Sequence, residues 1–297
     1  MTKPNTAAAG PAGRVVFLAG RGNLPMMEIT TAWSTAEIYL HGAHVTHFQR
    51  KGDAPLLFLS QCSRFENGKA IRGGIPVILP WFGAREGLGQ HGFVRNAAWE
   101  LQEIASESDD SVSVRLAFSP GPAAAMHPPF EASYVVTVND QLELELIVTN
   151  TSATDTLVFE NCLHTYFFVE DITAVSVHGL KGAAYLDKTA NQARRTETDD
   201  AIRISSEVDR TYLDAPGAVE IEDARIGRVI RVEKENSAST VVWNPWVAKA
   251  QQMADFGNEE YRNMICVESG NVSANRIELP PKQTSRMKVR LGSAPLS

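Results

Sequence analysis

SYVVTVNDQLELELIVT, residues 133–149, is the stretch from which the fold can be read most directly. Tyr134, Val136 and Val138 alternate with Ser133, Val135 and Thr137, the period of a strand buried on one face. After the dipeptide Asn139-Asp140 the pattern restarts, with Leu142, Leu144 and Leu146 set between Glu143 and Glu145. The run therefore reads as an antiparallel hairpin with a polar turn. Upstream, SVSVRLAFS (111–119) alternates Val112, Val114, Leu116 and Phe118 in the same way. Downstream, DTLVFENCLHTYFFV, ITAVSVHGL, RVIRVEK, STVVWN, NMICVES and RMKVRLG are further β-rich runs, separated by Asn, Asp, Gly and Pro. Helical periodicity is scarce, the best candidate being a short turn over residues 258–262. The expectation is an all-β chain: a large, antiparallel, twisted β-sandwich with few short helices. No fixed-period repeat, low-complexity block or linker divides it. Residues 14–297 read as one domain after a flexible tail, MTKPNTAAAGPAG, over residues 1–13.

Composition narrows the function. The chain has 297 residues, with 28 Lys plus Arg against 35 Asp plus Glu, a formal charge of −7. That balance argues against nucleic acid as the main partner, because a phosphate backbone demands a basic face. A small anionic ligand, needing two or three local cations, stays open. No apolar run approaches the roughly 18 residues that cross a bilayer, and VVFLAG is too short for a secretory apolar core. The expected location is cytoplasmic, and the expected state a monomer. Cys62, Cys162 and Cys266 are too scattered for a disulfide framework or a paired-cysteine metal site and read as small buried apolar residues. HGAHVTH tempts a metal reading, but on a strand His44 would face away from His41 and His47, and no HExxH spacing occurs. No phosphate-cradling glycine motif of a nucleotide enzyme appears.

Polar, aromatic and glycine residues concentrate in three segments. The first, residues 69–101, holds Arg72, Gln90, His91 and Arg95 among Gly73, Gly74, Gly83, Gly87, Gly89 and Gly92, which impose turns on the chain. In the second, ENCLHTYFFVED, strand alternation puts Cys162, His164, Tyr166 and Phe168 on one face. The third, residues 243–272, ends in a strand where Met264, Cys266 and Glu268 share a face and Gly270 follows at once. Glu268 closes a hydrophobic strand on this reading, where desolvation raises a carboxyl pKa.

IRGGIPVILPWFG, QHGFVRNAAWEL, LHTYFFVEDI, EVDRTYLD and VVWNPWVAKAQQMADFGNEEYRNMICVESG together resemble the hexose-6-phosphate mutarotases (glucose-6-phosphate 1-epimerases), a branch of the aldose 1-epimerase superfamily. The stretches follow the family's order over Ile71 to Gly270, about two-thirds of the chain. Ser269 departs from the family, which commonly has Pro after the Glu. The resemblance implies a galactose mutarotase-like supersandwich with a shallow sugar cleft. It also implies interconversion of the α and β anomers of hexose 6-phosphates, chiefly glucose 6-phosphate, without metal, nucleotide, covalent intermediate or other cofactor.

Such chemistry needs a base for the anomeric hydroxyl proton and an acid for the ring oxygen, with roles reversed on closure. The resemblance assigns His164 as acid and Glu268 as base, and Asp209 as a partner of sugar hydroxyls. It points to Arg72 and Arg95, with Gln90 alongside, for the phosphate, since a planar guanidinium makes paired charged hydrogen bonds to phosphate oxygens. His91 is expected to support the cleft, and Lys249 reads either as a third cation or as a solvated surface lysine. Structural alternatives stand beside these roles: Asp209 as a turn cap or partner of Arg210, and Arg72 and Arg95 as partners of Glu66 or Glu100. Trp243 or Trp246 could line the sugar cleft. The rival functions are a neutral-aldose mutarotase, a non-catalytic sugar-phosphate-binding module, and, more weakly, a glycosidase using Glu268 with Asp255 or Glu160.

Overall fold

Alternation in the sequence becomes alternation in burial. In the computed structural model, which describes residues 13–106, 110–120 and 128–296, every second side chain of Val112–Phe118 and Phe130–Val138 is buried. Leu142–Asn150 follows the same pattern until Ile147 breaks it. The last two strands pair antiparallel with Val138 opposite Leu142. The turn between them includes Gln141, one residue more than the Asn139-Asp140 dipeptide, and the Gln141 N–H donates to Asn139 Oδ1 at 2.9 Å.

These strands belong to a nine-stranded antiparallel sheet. It runs from Ala201–Arg203 at one edge, through Val175–His178, Val219–Asp223, Arg228–Glu235 and Thr284–Pro295, to Leu142–Asn150, Phe130–Val138, Val112–Phe118 and Glu100–Ser106. A second, eight-stranded sheet orders Ala193–Thr196, Ala184–Asp187, Val208–Leu213, Ser239–Asn244, Met264–Asn271, Asn161–Leu163 and Val77–Ile78, with Tyr166–Phe168 also pairing with Met264–Asn271. A four-stranded meander, Gly13–Ala19 to His44–Arg50, completes the main layers. One apolar cluster joins Leu116, Tyr134, Leu144 and Leu146 of the nine-stranded sheet to Leu163, Phe167, Ile265 and Val267 of the eight-stranded one. Each fully buried side chain of this size contributes about 1.5–3 kcal/mol, so the β-sandwich is held from its middle.

Helices are few and short. The turn expected over residues 258–262 is a 3-10 helix at Glu260–Asn263. An α-helix at Trp246–Ala250 was not foreseen, because Pro245 and the β-rich run before it mask five helical residues. Buried Asn244 ties both down: its Oδ1 accepts from the Trp246 N–H at 2.9 Å, and its Nδ2 donates to the carbonyls of Tyr261 and Met264, each at 2.8 Å. The expected tail lies outside the described residues except for Gly13, which opens the strand Gly13–Ala19. Among the described residues no helix is long and apolar enough to cross a membrane.

Candidate active site

Met264–Asn271 runs through the eight-stranded sheet with all its residues buried. Glu268 therefore sits mid-strand rather than closing it, and Ser269 stays in register between Leu163 on one side and Thr240 on the other. The segment expected as one strand through His164 is two. Asn161–Leu163 and Tyr166–Phe168 both pair with Met264–Asn271, and the chain steps out of the ladder between them. The cause lies in the first dense segment: the His164 N–H donates to the Pro76 carbonyl at 3.0 Å, and the Tyr166 N–H to the Gly74 carbonyl at 2.9 Å. Gly74 takes φ +59°, and a Cβ there would collide with the Val45 carbonyl, so only glycine lets the Ile71–Pro76 backbone come this close.

The step presents His164 to the strand it left. His164 Nε2 lies 3.3 Å from Glu268 Oε1, and Glu268 is 1% exposed. The Cys162 thiol donates to Glu268 Oε2 at 3.4 Å. The imidazole stacks on Tyr166, with centroids 4.8 Å apart and planes 13° apart, and meets His91 and Trp243 edge-on. His91 Nδ1 accepts from the Gly83 N–H at 3.1 Å, which puts the proton of its neutral ring on Nε2.

Burial raises the Glu268 carboxyl to about 8, with Asp209 pushing the same way and Lys188 opposing. Burial also drives His164 well below the usual imidazole range, helped by His91, Arg95 and Arg72. Both shifts favour the neutral forms. Between these limits the pair holds a single proton, which belongs to both residues together.

A cleft of about 340 Å³ opens from this pair. Its walls include Arg72, Gln90, His91, Asp209, Trp243 and Lys249 beside His164 and Glu268. Of the residues expected to bind the phosphate, Arg95 stands behind the wall. It lies in the 3-10 turn Val94–Asn96, and its Nη2 donates to the Gln90 carbonyl at 2.9 Å. Burial, with Arg72 beside it, lowers Arg95 to about 10.

Arg72 is paired with neither Glu66 nor Glu100 but with Asp255, its Nε and Nη2 both reaching Oδ2 at 3.2 and 3.1 Å, while Nη1 donates to the Tyr166 hydroxyl at 3.0 Å. Asp209 pairs with Lys188 at 3.0 Å; Arg210, its expected partner, goes instead to Glu197 at 2.9 Å. Trp246 packs on Tyr261, so of the two tryptophans Trp243 is the one on the cleft wall.

Lys188 is a charged cleft residue that sequence reasoning missed. It starts a 3-10 turn capped by Asp187, whose Oδ1 accepts from the Thr189 N–H at 3.1 Å. The Asp-Lys-Thr cap was legible, but its place beside Asp209 comes from pairing of Ala184–Asp187 with Val208–Leu213. The HGAHVTH imidazoles have separate partners: His41 the Lys69 carbonyl, His44 the Gly73 carbonyl, and His47 the Thr35 hydroxyl. Among the described residues, the group able to surround a cation is His164, Cys266 and Glu268, whose ligand atoms lie within 4.8 Å of one another.

Residues 25–292 match the family described as Aldose 1-epimerase, a span that includes every residue of this cleft. The chain belongs to the aldose 1-epimerase family. This epimerase is 39% identical over 272 residues to a protein of Cenchrus ciliaris, covering 88% of this chain and 82% of the relative. It is 32% identical over 240 residues to one of Escherichia coli K12, covering 80% of each. Both relatives carry the provisional name glucose-6-phosphate 1-epimerase. The crystal structure of YeaD from Salmonella typhimurium, provisionally called a mutarotase, superposes with a TM-score of 0.87 at 27% identity, covering 98% of this chain and 97% of that one. A galactose mutarotase-like protein of Clostridium acetobutylicum shares the fold at a TM-score of 0.75 and 14% identity, covering 96% and 98%. The epimerase thus has the galactose mutarotase-like sandwich and the family's general activity, epimerisation of aldoses.

Proposed function

We propose that this epimerase interconverts the α and β anomers of hexose 6-phosphates, chiefly glucose 6-phosphate, by acid–base ring opening without a cofactor. The observation that carries the reading is a buried imidazole–carboxyl pair, 3.3 Å apart, in a cleft whose walls also hold Arg72 and Lys249. The anomeric hydroxyl and the ring oxygen share one carbon, so the two groups that serve them must be neighbours. Glu268 as carboxylate takes the hydroxyl proton, and His164 as imidazolium gives one to the ring oxygen. Opening leaves a protonated Glu268 and a neutral His164, the pair of forms that burial favours. The same burial makes the carboxylate a stronger base and the imidazolium a stronger acid at the outset. After rotation of the aldehyde, closure reverses both transfers.

Asp209, held by Lys188, is suited to accept from sugar hydroxyls, Gln90 and His91 Nε2–H to donate, and Trp243 to cover an apolar sugar face. For the phosphate, Asp255 and Tyr166 hold the Arg72 guanidinium in place. Their contacts leave one of the two Nη1 N–H groups over for a ligand oxygen. Lys249 supplies a second charge, and Arg95 adds its field from behind Gln90.

The test is magnetisation exchange between the anomeric protons of glucose 6-phosphate. The folded protein should accelerate exchange over buffer, and an unchanged rate overturns the reading. A neutral-aldose mutarotase is the second reading, favoured by the Arg72–Asp255 pair, which could serve structure alone. In that case Arg72→Ala would affect phosphorylated and free sugar equally.

A further inference from the structure

Cys266 takes no part in the chemistry above, yet its thiol faces the acid–base pair from the same strand as Glu268. We infer that His164, Cys266 and Glu268 form a binding site for one thiophilic divalent cation, of the Zn2+ or Cd2+ class, and that its occupancy arrests the enzyme. Nitrogen, sulfur and carboxylate oxygen are the donor set of borderline and soft metals, whereas Mg2+ and Ca2+ require shells of oxygen.

The geometry is close to what such a cation needs. A Zn2+ placed about 2.05 Å from both His164 Nε2 and Glu268 Oε1 would subtend about 107° across their 3.3 Å separation, near the tetrahedral angle. Cys266 Sγ lies within 4.8 Å of a His164 ring nitrogen and a Glu268 carboxylate oxygen, which brings a third donor to the same place. His164 and Glu268 line the cleft, which leaves the fourth position open to water. Cys162 Sγ, 3.4 Å from Glu268 Oε2, adds a polarisable neighbour.

Charge favours the exchange as well. A divalent cation held by neutral imidazole, carboxylate and thiolate is balanced by its two anionic donors, and any protons those donors carried leave to solvent as it enters. Arg72, Arg95 and Lys188 therefore meet no net positive charge. Arrest follows because the metal occupies the nitrogen and oxygen that must carry protons. The arrest, though not the binding, rests on the mutarotase reading.

The experiment titrates CdCl2 into the full chain carrying Cys62→Ser, which removes the one cysteine that is exposed rather than buried as its sequence suggested. Thiolate-to-cadmium ultraviolet absorption and anomer exchange are followed together. The expected result is absorption that saturates at one equivalent, turnover lost in parallel, both reversed by EDTA, and no effect of MgCl2. Adding Cys266→Ala should abolish the absorption, leave metal-free turnover within about threefold, and raise the half-inhibiting CdCl2 concentration about 10–100-fold. If that variant fails to fold, Cys266→Ser, which keeps the size of the side chain, replaces it with the same expected outcome. The inference is overturned if no absorption appears, if absorption survives removal of the Cys266 thiol, or if MgCl2 inhibits equally. Should the protein prove inactive on hexose phosphates, absorption at one equivalent that depends on Cys266 would still uphold the cation site while sinking the mutarotase reading.

Discussion

Glu268→Gln tests the core of the mechanism with little change of shape. The amide has the size of the carboxyl and stays beside His164 and the Cys162 thiol, 3.3 and 3.4 Å away in the parent, but it can neither take nor return the anomeric proton. One positioned proton transfer contributes about 10²–10⁴-fold, equivalent to about 2.7–5.5 kcal/mol of barrier. The expected loss of kcat for glucose 6-phosphate lies in that range, with KM changed little, because the cleft cations are untouched. The wild-type pH profile supplies an independent arm. The free enzyme works while the pair holds its single proton, and that proton leaves as pH rises through about 8. The proton-bearing fraction then falls from about 90% at pH 7 to about 10% at pH 9, so kcat/KM should drop about tenfold over that interval. The substrate phosphate titrates near 6, well separated from this limb. Anomeric magnetisation exchange measures both arms. A variant within about tenfold of wild type, or a wild-type kcat/KM that stays flat from about pH 7 to 9, would refute the role given to Glu268.

Arg72→Ala removes a charged hydrogen-bond donor from the cleft wall and should raise KM for glucose 6-phosphate by about 1.5–3 kcal/mol, roughly 10–150-fold, with free glucose little affected; steady-state kinetics on both sugars decides it, and equal effects would assign Arg72 to structure. Glu268→Gln should also change stability against pH. The native carboxyl is raised above its ordinary value of 4.5 to about 8, so the stability it contributes is complete below about 4.5 and lost as pH climbs through about 8. The melting temperature of wild type should accordingly fall relative to the variant across that window, and parallel curves would show that the carboxyl is not buried as described. Leu146→Ala, in the shared core, should cost about 2–5 kcal/mol in urea unfolding without altering KM; a smaller cost would mean the two sheets are less tightly packed there. Gly74→Ala should disrupt the site through its backbone, seen as lost turnover with far-ultraviolet circular dichroism of the sheets retained, and unchanged turnover would remove the reason given for the step at His164.

Much of this was legible in the chain because the decisive signals are short-range. Val112 to Phe118 and Tyr134 to Leu146 carry the sheet in their own alternation, and burial follows it nearly residue for residue. Cys266 and Glu268 read as one face of a strand, and their ligand atoms do converge with His164. The motif segments likewise marked Arg72, Gln90, His91, Asp209 and Lys249, all of which reach one cleft. Partnerships were another matter. Arg72 chooses Asp255, 183 residues away, over nearer Glu66 and Glu100, because folding brings the Ile71–Pro76 backbone and the loop after the Trp246–Ala250 helix to the same rim. Lys188 and Asp209 meet only through the pairing of their strands.

The sequence by itself determined an all-β sandwich and the chemical types gathered for the site, since a two-residue period and residue identity require no knowledge of what lies across the sheet. Tertiary structure alone decided that His164 steps out of its strand to face Glu268, that Arg95 stands behind the wall, and that Cys266 comes within 4.8 Å of both His164 and Glu268. Those outcomes depend on contacts such as Cys162 with Glu268, 106 residues apart, and on how completely water is excluded around them. The same exclusion of water raises the Glu268 carboxyl, a direction its hydrophobic strand already implied, and lowers His164, which no local pattern records.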